Sequence, residues 1–596
     1  MTVEIPNIKS IAIIGAGPGG LASLYEFLHT NKDGTSTIRD PKSHTAPSPG
    51  NYPKAADPAF DKIVVFEQKD HPGGIWAPAT LEADLPVPPQ EILDAENYND
   101  PRYVRPRNEV PEGVKGATVD KPFVTKGEPN TKSGNFKVRK QAEVSENEVN
   151  KSEGEQLIDE LQWKRTGIFP FLFTNIPQRF TRFSYLPDEE EFHNKQRKIY
   201  PFLTHQELSQ KFTDFVEQEN LLEYIRLNSA VENVAKDKDT GKWIITVRHP
   251  QQNGDNLWYQ EEFDAVVVSN GHYTVPYFPH INGLAEYNAN FPNQLIHAKS
   301  FRNLEDFKDK DVLVVGGSIS TANLLQYIVP VAKSVTNSKR GKHLVFAYIN
   351  DALVSKGIDP RPEISYIDPK SGVFYFTDGT LGKYDKVLFT TGYHYHFPFF
   401  NPQDNYLSLV NPGNLSRVGG LYLHTIDQKD PTLGTVGIIV SHLNFHTIEA
   451  SAAALAGVWS GASSLPNVDP EQKKWEDDLV NTRGNSLFFH FYDNHGAKEI
   501  IDDLEQYFAK GRYNPLIRDG EFVDEIDKGS DYLEKLFYGL KDKTIAIEET
   551  NNWKNETGKG EITKTEKSTK QDSEIPLLQK GVAGISVAEV PTTVPA

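Results

Sequence analysis

Ile11-Ala12-Ile13-Ile14-Gly15-Ala16-Gly17-Pro18-Gly19-Gly20-Leu21 is the stretch that decides the fold of this chain. Its first four apolar residues read as a buried parallel strand, and Leu21, Tyr25 and Leu28 follow at helical spacing. Between them runs Gly-x-Gly-x-x-Gly. Gly15 serves the tight turn, Gly17 lets a pyrophosphate approach the backbone, and Gly20 allows helix and strand to pack closely. The helix N-terminus offers amides and a positive dipole end to the phosphates. A second strand, 62–66, ends in Glu67, an acid that suits a ribose hydroxyl pair. It comes later than the spacing of about 20 residues the fingerprint expects, and the polar, Pro- and Ser-rich insertion at 31–60 accounts for the delay. The unit is expected to bind a dinucleotide.

With 596 residues the chain has room for several domains. A formal charge of −19 argues against nucleic acid or an anionic membrane surface as partner. Residues 1–9 are too few and too polar for a signal peptide, and no apolar run approaches the roughly 20 residues that span a bilayer. Cysteine is absent, which removes disulfides, thiolate metal sites, nucleophilic cysteines and redox dithiols together. No metal is called for.

Beyond Glu67, Gly73-Gly74-Ile75-Trp76 suits a loop whose backbone approaches a flat ring system, or an ordinary turn. Residues 77–154 sustain no period and read as a largely disordered insertion, with a short amphipathic helix at 155–163 returning the chain. Thr174-Asn175 follows in an aromatic-rich segment, where Asn175 is a neutral donor and acceptor or a plain turn residue. A helix is expected over 203–220 with Thr204 as cap, then strands at 225–227, 231–234, 243–247 and 263–268. The last runs into Ser269-Asn270-Gly271-His272-Tyr273, at the carboxyl end of a strand, where open α/β sheets hold ligands.

A second unit opens with the strand 312–315 and Gly316-Gly317-Ser318-Ile319-Ser320-Thr321. Ser318 and Thr321 stand where further glycines would be, and their hydroxyls could reach phosphate. Where the next strand should end in an acid, the chain has Ser338-Lys339-Arg340, the pattern for a 2′-phosphate and hence NADPH over NADH. The strand 385–389 leads into Thr391-Gly392-Tyr393. A strand at 436–440, an alanine-rich helix at 449–459 and amphipathic helices up to Tyr538 follow, and the composition of 544–596 is that of a disordered tail.

Together these motifs resemble the flavin-containing monooxygenases, closest to the fungal branch called thiol-specific. Besides the glycines, the resemblance rests on Trp76, Thr174-Asn175, Gly271-His272-Tyr273, Phe291, His297, Phe301-Arg302, Ser318, Ser320 and Gly392. The family identifier has a glycine where this chain has Asn293. Phe301, followed by Arg302, stands where Baeyer–Villiger enzymes carry Trp. The resemblance implies an α/β chain with two Rossmann-like dinucleotide-binding domains, the NADPH domain inserted into the FAD domain. Their expected bounds are 1–273 (FAD, with insertions 31–60 and 77–154), 274–392 (NADPH), 393–543 (FAD return and C-terminal helices) and 544–596 (tail).

It also implies FAD and NADPH as cofactors, a flavin 4a-hydroperoxide, and oxygen transfer to the sulfur or nitrogen of a small thiol, thioether or amine. The implied cofactor-binding residues are Gly15, Gly17, Gly20, Glu67, Gly74, Trp76, Thr174, Asn175, Val231, Gly271, Arg302, Gly316, Gly317, Ser318, Ser320, Lys339, Arg340 and Gly392. Asn175 takes the catalytic position beside the reactive flavin carbon, and the Val231 backbone meets the FAD adenine. A homodimer in the cytoplasm, or at the cytosolic face of the endoplasmic reticulum, fits the resemblance. The alternatives are a Baeyer–Villiger or N-hydroxylating enzyme, an NADPH oxidase, and a non-catalytic binding protein.

Overall fold

A computed structural model of the chain describes residues 3–39, 52–77, 83, 85–104, 109–126, 165–251, 253–404, 406, 409–411, 414–484 and 487–547. In its larger sheet, the strand Ser10–Ile14 lies parallel between Lys62–Phe66 and Ala265–Val268, with Ala12 opposite Val64 on one side and Val266 on the other. Residues 11–14 and 265–268 are buried throughout, which is why they read as unbroken apolar runs without alternation. Ile225–Arg226 extends one edge. Leu433–Thr435, Ile426–Asp427 and Leu421–Tyr422 extend the other, so the sheet is completed from far down the chain.

Between those two contributions lies the second sheet, ordered Leu295–His297, Lys386–Phe389, Asp311–Val315, Ser334–Ser338, Asp359–Arg361 and parallel throughout. One Rossmann-like unit thus interrupts another, as expected. An antiparallel sheet of Phe123–Thr125, Asn256–Phe263, Trp243–Pro250 and Ala230–Lys236 flanks the first unit.

The helix Pro18–Leu28 starts with Pro at its first position, where a missing N–H costs nothing. It packs on the helix Asn444–Trp459, whose fully buried Ala450, Ala452, Ala453, Ala454 and Ala456 leave room for a neighbour. The helix His205–Gln218 carries the expected cap as a reciprocal box. Glu207 N–H donates to Thr204 Oγ1 at 3.1 Å, and Thr204 N–H to Glu207 Oε2 at 2.8 Å, an arrangement whose loss typically costs about 1 kcal/mol.

Four expectations change. Within 77–154, residues 85–104 and 109–126 are structured: Leu93, Tyr98, Val104 and Val114 are buried, and Phe123–Thr125 pairs with Asn256–Phe263. Single apolar residues without a period can still plug tertiary gaps, which periodicity alone does not register. The 31–60 insertion is tied at both ends: Lys32 N–H donates to Asp57 O at 2.9 Å, and bridges join Thr35 to Lys510 and Arg39 to Arg512. The apolar run 436–440 yields strand only at Val440–Ser441, because Gly437 sits at φ +98°. Residues 544–547 are ordered, Ile545 lying against Gly539. The helix expected at 155–163, residues 40–51 and the tail from 548 lie outside the described residues. Among the described residues no helix is long and apolar enough to cross a membrane.

Candidate active site

The first glycine turn sits at the carboxyl end of Ser10–Ile14, at the switch point between Lys62–Phe66 and Ala265–Val268. Gly15 has φ +98°, and a Cβ on it would stand 2.7 Å from Ser269 O; a Cβ on Gly20 would run into Gly15 O. The protein's own packing requires both of these glycines. Gly17 differs. Its backbone is extended (φ −75°, ψ −173°) and admits any residue, and among the described residues a Cβ there would meet only Gly74, at 3.4 Å from its Cα. No side chain caps the helix that begins after it. Nothing in the fold needs a glycine at 17, whereas a pyrophosphate lying on the backbone and the helix N-terminus does. The site fits a dinucleotide.

Glu67 closes the turn from below. Ala16 N–H donates to Glu67 Oε2 at 2.8 Å and Lys69 N–H to Oε1 at 2.9 Å. The carboxylate is thereby fixed at the cavity wall, where it can also receive ribose hydroxyls. Lys69 reaches across to Gly74 O at 2.7 Å and is held below its ordinary pKa by burial. Gly74 itself has φ +63°.

One cavity of about 680 Å³ joins both units. Gly15, Gly17, Glu67, Gly74, Trp76, Thr174, Asn175, Val231, Gly271, Ser318 and Ser320 all line it. Thr174 is committed to the backbone: its Oγ1 donates to Ile176 O at 3.0 Å and accepts from Leu203 N–H at 3.1 Å. These bonds fix the bend that projects Asn175, whose amide has no hydrogen-bond partner among the described residues and is free for a ligand. Gly271 turns with φ +68°. The neighbouring His272 is half-buried, and desolvation pushes it down to about 4 and keeps it neutral.

Gly20, Arg302, Gly316, Gly317, Lys339, Arg340 and Gly392 stand outside the cavity wall. Arg302 spends its guanidinium on the Lys299, Phe301 and Thr166 carbonyls, the last belonging to the wall. Gly316, at φ +144°, is required because a Cβ would strike Thr390 Oγ1. Gly317 lies under the Lys339 stem, and Gly392 carries its carbonyl to Tyr277 N–H at 2.9 Å. The hydroxyl of Thr321 is not offered to phosphate: it bonds Thr390 Oγ1 at 2.7 Å and accepts from Ser318 N–H at 3.2 Å. Ser318 Oγ instead lies 3.2 Å from His343 Nε2 on the cavity side. Arg340 is exposed and makes no ion pair among the described residues.

Several wall residues carried no sequence signal. Arg248 and Glu232, paired at 2.7 Å, come together only through the antiparallel register that sets their strands side by side. His343 and His442 likewise belong to no motif. Lys69 alone could have been found, two residues past the ribose acid.

The profile of the flavin-binding monooxygenase-like family matches residues 156–358. Trimethylamine monooxygenase of Roseovarius sp. (strain 217) is 30% identical over 351 residues, covering 57% of this chain and 72% of the relative. Flavin-containing monooxygenase FMO GS-OX5 of Arabidopsis thaliana is 29% identical over 320 residues, 52% of this chain and 64% of the relative. The match thus spans less than two thirds of that plant protein. Among solved structures, S-allyl-L-cysteine S-oxygenase from Allium sativum superposes with a TM-score of 0.59 at 20% identity, over 90% of this chain and 98% of its own; it speaks to the fold alone. With a matching family profile, a relative covered over most of its length and a cavity that joins two glycine turns, the chain belongs to the flavin-binding monooxygenase family.

Proposed function

We propose that this chain is an NADPH- and FAD-dependent monooxygenase that oxygenates soft nucleophiles, the sulfur of small thiols or thioethers before amine nitrogen, and that it belongs with the fungal thiol-specific branch. The observation that carries the reading is the single cavity reaching from the Gly15–Gly17 turn to Ser318–Ser320 past the unpartnered amide of Asn175. Relatives named for trimethylamine oxygenation and a structural neighbour named for S-oxygenation supply the substrate classes. In this reading residues 1–273 and 393–543 hold FAD and 274–392 hold NADPH.

FAD held on the first turn supplies electron transfer from NADPH and the activation of dioxygen. The chain's own part is binding, orientation and exclusion of water. The Gly17 backbone and helix amides take the pyrophosphate, and Glu67 takes the ribose. Phe346, Phe445 and Phe491 give the wall apolar surface. Asn175, fixed through Thr174, directs an amide into the space where the ring system and the second nucleotide meet.

The test is coupling. With Asn175→Ala, flavin content should remain at wild-type level while the share of NADPH oxidation that ends as hydrogen peroxide rises severalfold, read by peroxide assay against product. Unchanged coupling returns Asn175 to a plain turn residue. Peroxide formed in full stoichiometry by the wild type, with a thiol or thioether present, would make the protein an NADPH oxidase.

Arg340 supplies a second prediction. It lies two residues past the strand Ser334–Ser338 and is free to meet a 2′-phosphate. Arg340→Ala should weaken NADPH about 10-fold, the loss of one charge-assisted phosphate contact, and leave NADH unchanged. Equal effects on the two nucleotides in a KM comparison would remove that role.

A further inference from the structure

Val440–Ser441 pairs in parallel with Phe491–Tyr492, Val440 against Phe491 and Ser441 against Tyr492. Carried one step further, that register sets His442 beside the start of the helix Asn494–Glu505. His442 Nδ1 and Asn494 Oδ1 are 3.1 Å apart, and Asn494 Nδ2 donates to Asp527 Oδ1 at 3.4 Å. A carboxylate only accepts, so Asp527 takes the amide hydrogen and turns Asn494 Oδ1 toward the imidazole. An oxygen facing Nδ1 places the ring proton there. The neutral ring then presents Nε2 as a bare acceptor. Nε2 is buried, on a residue of the cavity wall, and has no hydrogen-bond partner among the described residues. An orphaned buried acceptor costs about 1–3 kcal/mol, a cost that a hydrogen donor on a bound ligand removes.

We propose, on the basis of the monooxygenase reading above, that His442 Nε2 accepts the hydrogen carried by the reacting sulfur or nitrogen of the substrate. For a thiol, the S–H bond breaks, its electron pair stays on sulfur and the proton goes to Nε2. The thiolate receives one oxygen atom of dioxygen; NADPH and a solvent proton reduce the other to water. The imidazolium then returns its proton to R–S–O⁻, giving R–SOH. A thioether has no such hydrogen and makes no use of Nε2.

The surroundings suit an acceptor. The ring packs between Phe346 of the second unit, with centroids 4.9 Å apart, and Phe491, at 6.4 Å. The titratable groups facing it are Asp493 and Asp527 from the C-terminal segment and His343, itself beside Lys339, from the second unit. Burial holds the His442 imidazole below its ordinary pKa, while the Asn494 hydrogen bond and the two carboxylates act in the other direction. It is therefore neutral at pH 7 and able to take a proton.

The experiment compares 1-propanethiol with methyl propyl sulfide as substrates of the FAD-loaded full-length protein, in the wild type, His442→Phe and His442→Gln. General-base catalysis contributes about 10²–10⁴-fold, so kcat/KM for the thiol should fall by about 100-fold or more while that for the thioether stays near wild type. The dissociation constant of NADP⁺, followed by tryptophan fluorescence, should not move. The wild-type thiol profile should lose rate on the acid side as Nε2 protonates, and His442→Gln should lack that limb. Asn494→Asp, which sets a carboxylate against Nδ1, should move the limb to higher pH. If His442→Phe loses its flavin, His442→Gln carries the comparison. Equal losses for thiol and thioether, an unchanged thiol rate, or a raised NADP⁺ constant would overturn the proposal, the last by assigning Nε2 to the nucleotide. A wild type that oxygenates neither probe would instead sink the monooxygenase reading itself.

Discussion

Gly17→Val should purify as a folded, colourless protein. The fingerprint glycines Gly15, Gly17 and Gly20 differ in what a side chain on each would meet. Gly15 and Gly20 cannot be replaced without breaking the turn or driving a Cβ into Gly15 O, so their loss would damage the fold along with any site. Gly17 is extended and meets only Gly74, at van der Waals distance, so a side chain there is accommodated by the backbone and takes up room in the cavity. That room is where the pyrophosphate approaches the helix N-terminus. Affinity for FAD should fall by about 100-fold or more, equivalent to about 2.8 kcal/mol. The checks are the ratio of flavin to protein absorbance after purification and titration of the apoprotein with FAD. The melting midpoint should match that of wild-type apoprotein, which separates loss of the site from loss of the fold. A variant with a full complement of flavin would show that the turn holds no dinucleotide.

The same contrast explains what was legible in the sequence. The turn, its two flanking strands and the second unit were readable because each is local: an apolar run, a glycine pattern and a helix within a few tens of residues. Thr204 declares the helix start, and the structure carries its cap bond together with a return bond to Glu207 that the sequence reading did not include. What was hidden depends on long-range register. Leu93 and Tyr98 look like scattered apolar residues until Phe278 and Leu284 supply the surface they fill. Thr321 looks like a phosphate donor because its partner, Thr390, is distant in the chain, just past the strand Lys386–Phe389. At 436–440 the apolar run does not show that Gly437 takes a left-handed φ, which leaves strand only at Val440–Ser441. The orphaned Nε2 of His442 is invisible for the same reason: Asn494 lies 52 residues away in the chain, and only the pairing of two short strands brings them together.

Arg512→Met should be the most destabilising single change outside the glycine turns. Arg512 is fully buried and joins three segments. Its Nε donates to Glu26 Oε1 at 3.0 Å and its Nη2 to the same oxygen at 2.9 Å, while Nη2 also pairs with Glu449 and Nη1 donates to Tyr513 O. Glu26 lies on the helix that follows the first glycine turn, and Glu449 on the helix packed against it. Glu449 is further held by Ser184, whose N–H donates to its Oε2 at 2.6 Å. One guanidinium therefore serves two buried carboxylates at the seam of the first unit. Burial already pushes Glu26 up to about 7, against the lowering influence of Arg512. Without the arginine both carboxylates are left with no cation, and breaking a buried pair in this way costs about 3–5 kcal/mol. The loss should also depend on pH. A carboxyl whose folded pKa lies above its unfolded one binds more protons in the native state, so stability falls as pH rises from the ordinary carboxylate range through the raised value. Removing Arg512 widens that interval for Glu26. The deficit against wild type, read from chemical unfolding midpoints, should therefore be larger at pH 8 than at pH 5.5, and Glu26→Gln in the Arg512→Met background should recover part of it at pH 8. A deficit below about 1 kcal/mol, the scale of an exposed ion pair, and equal at the two pH values would mean that the seam is held by the packing of its alanine-rich helix and owes nothing to this arginine.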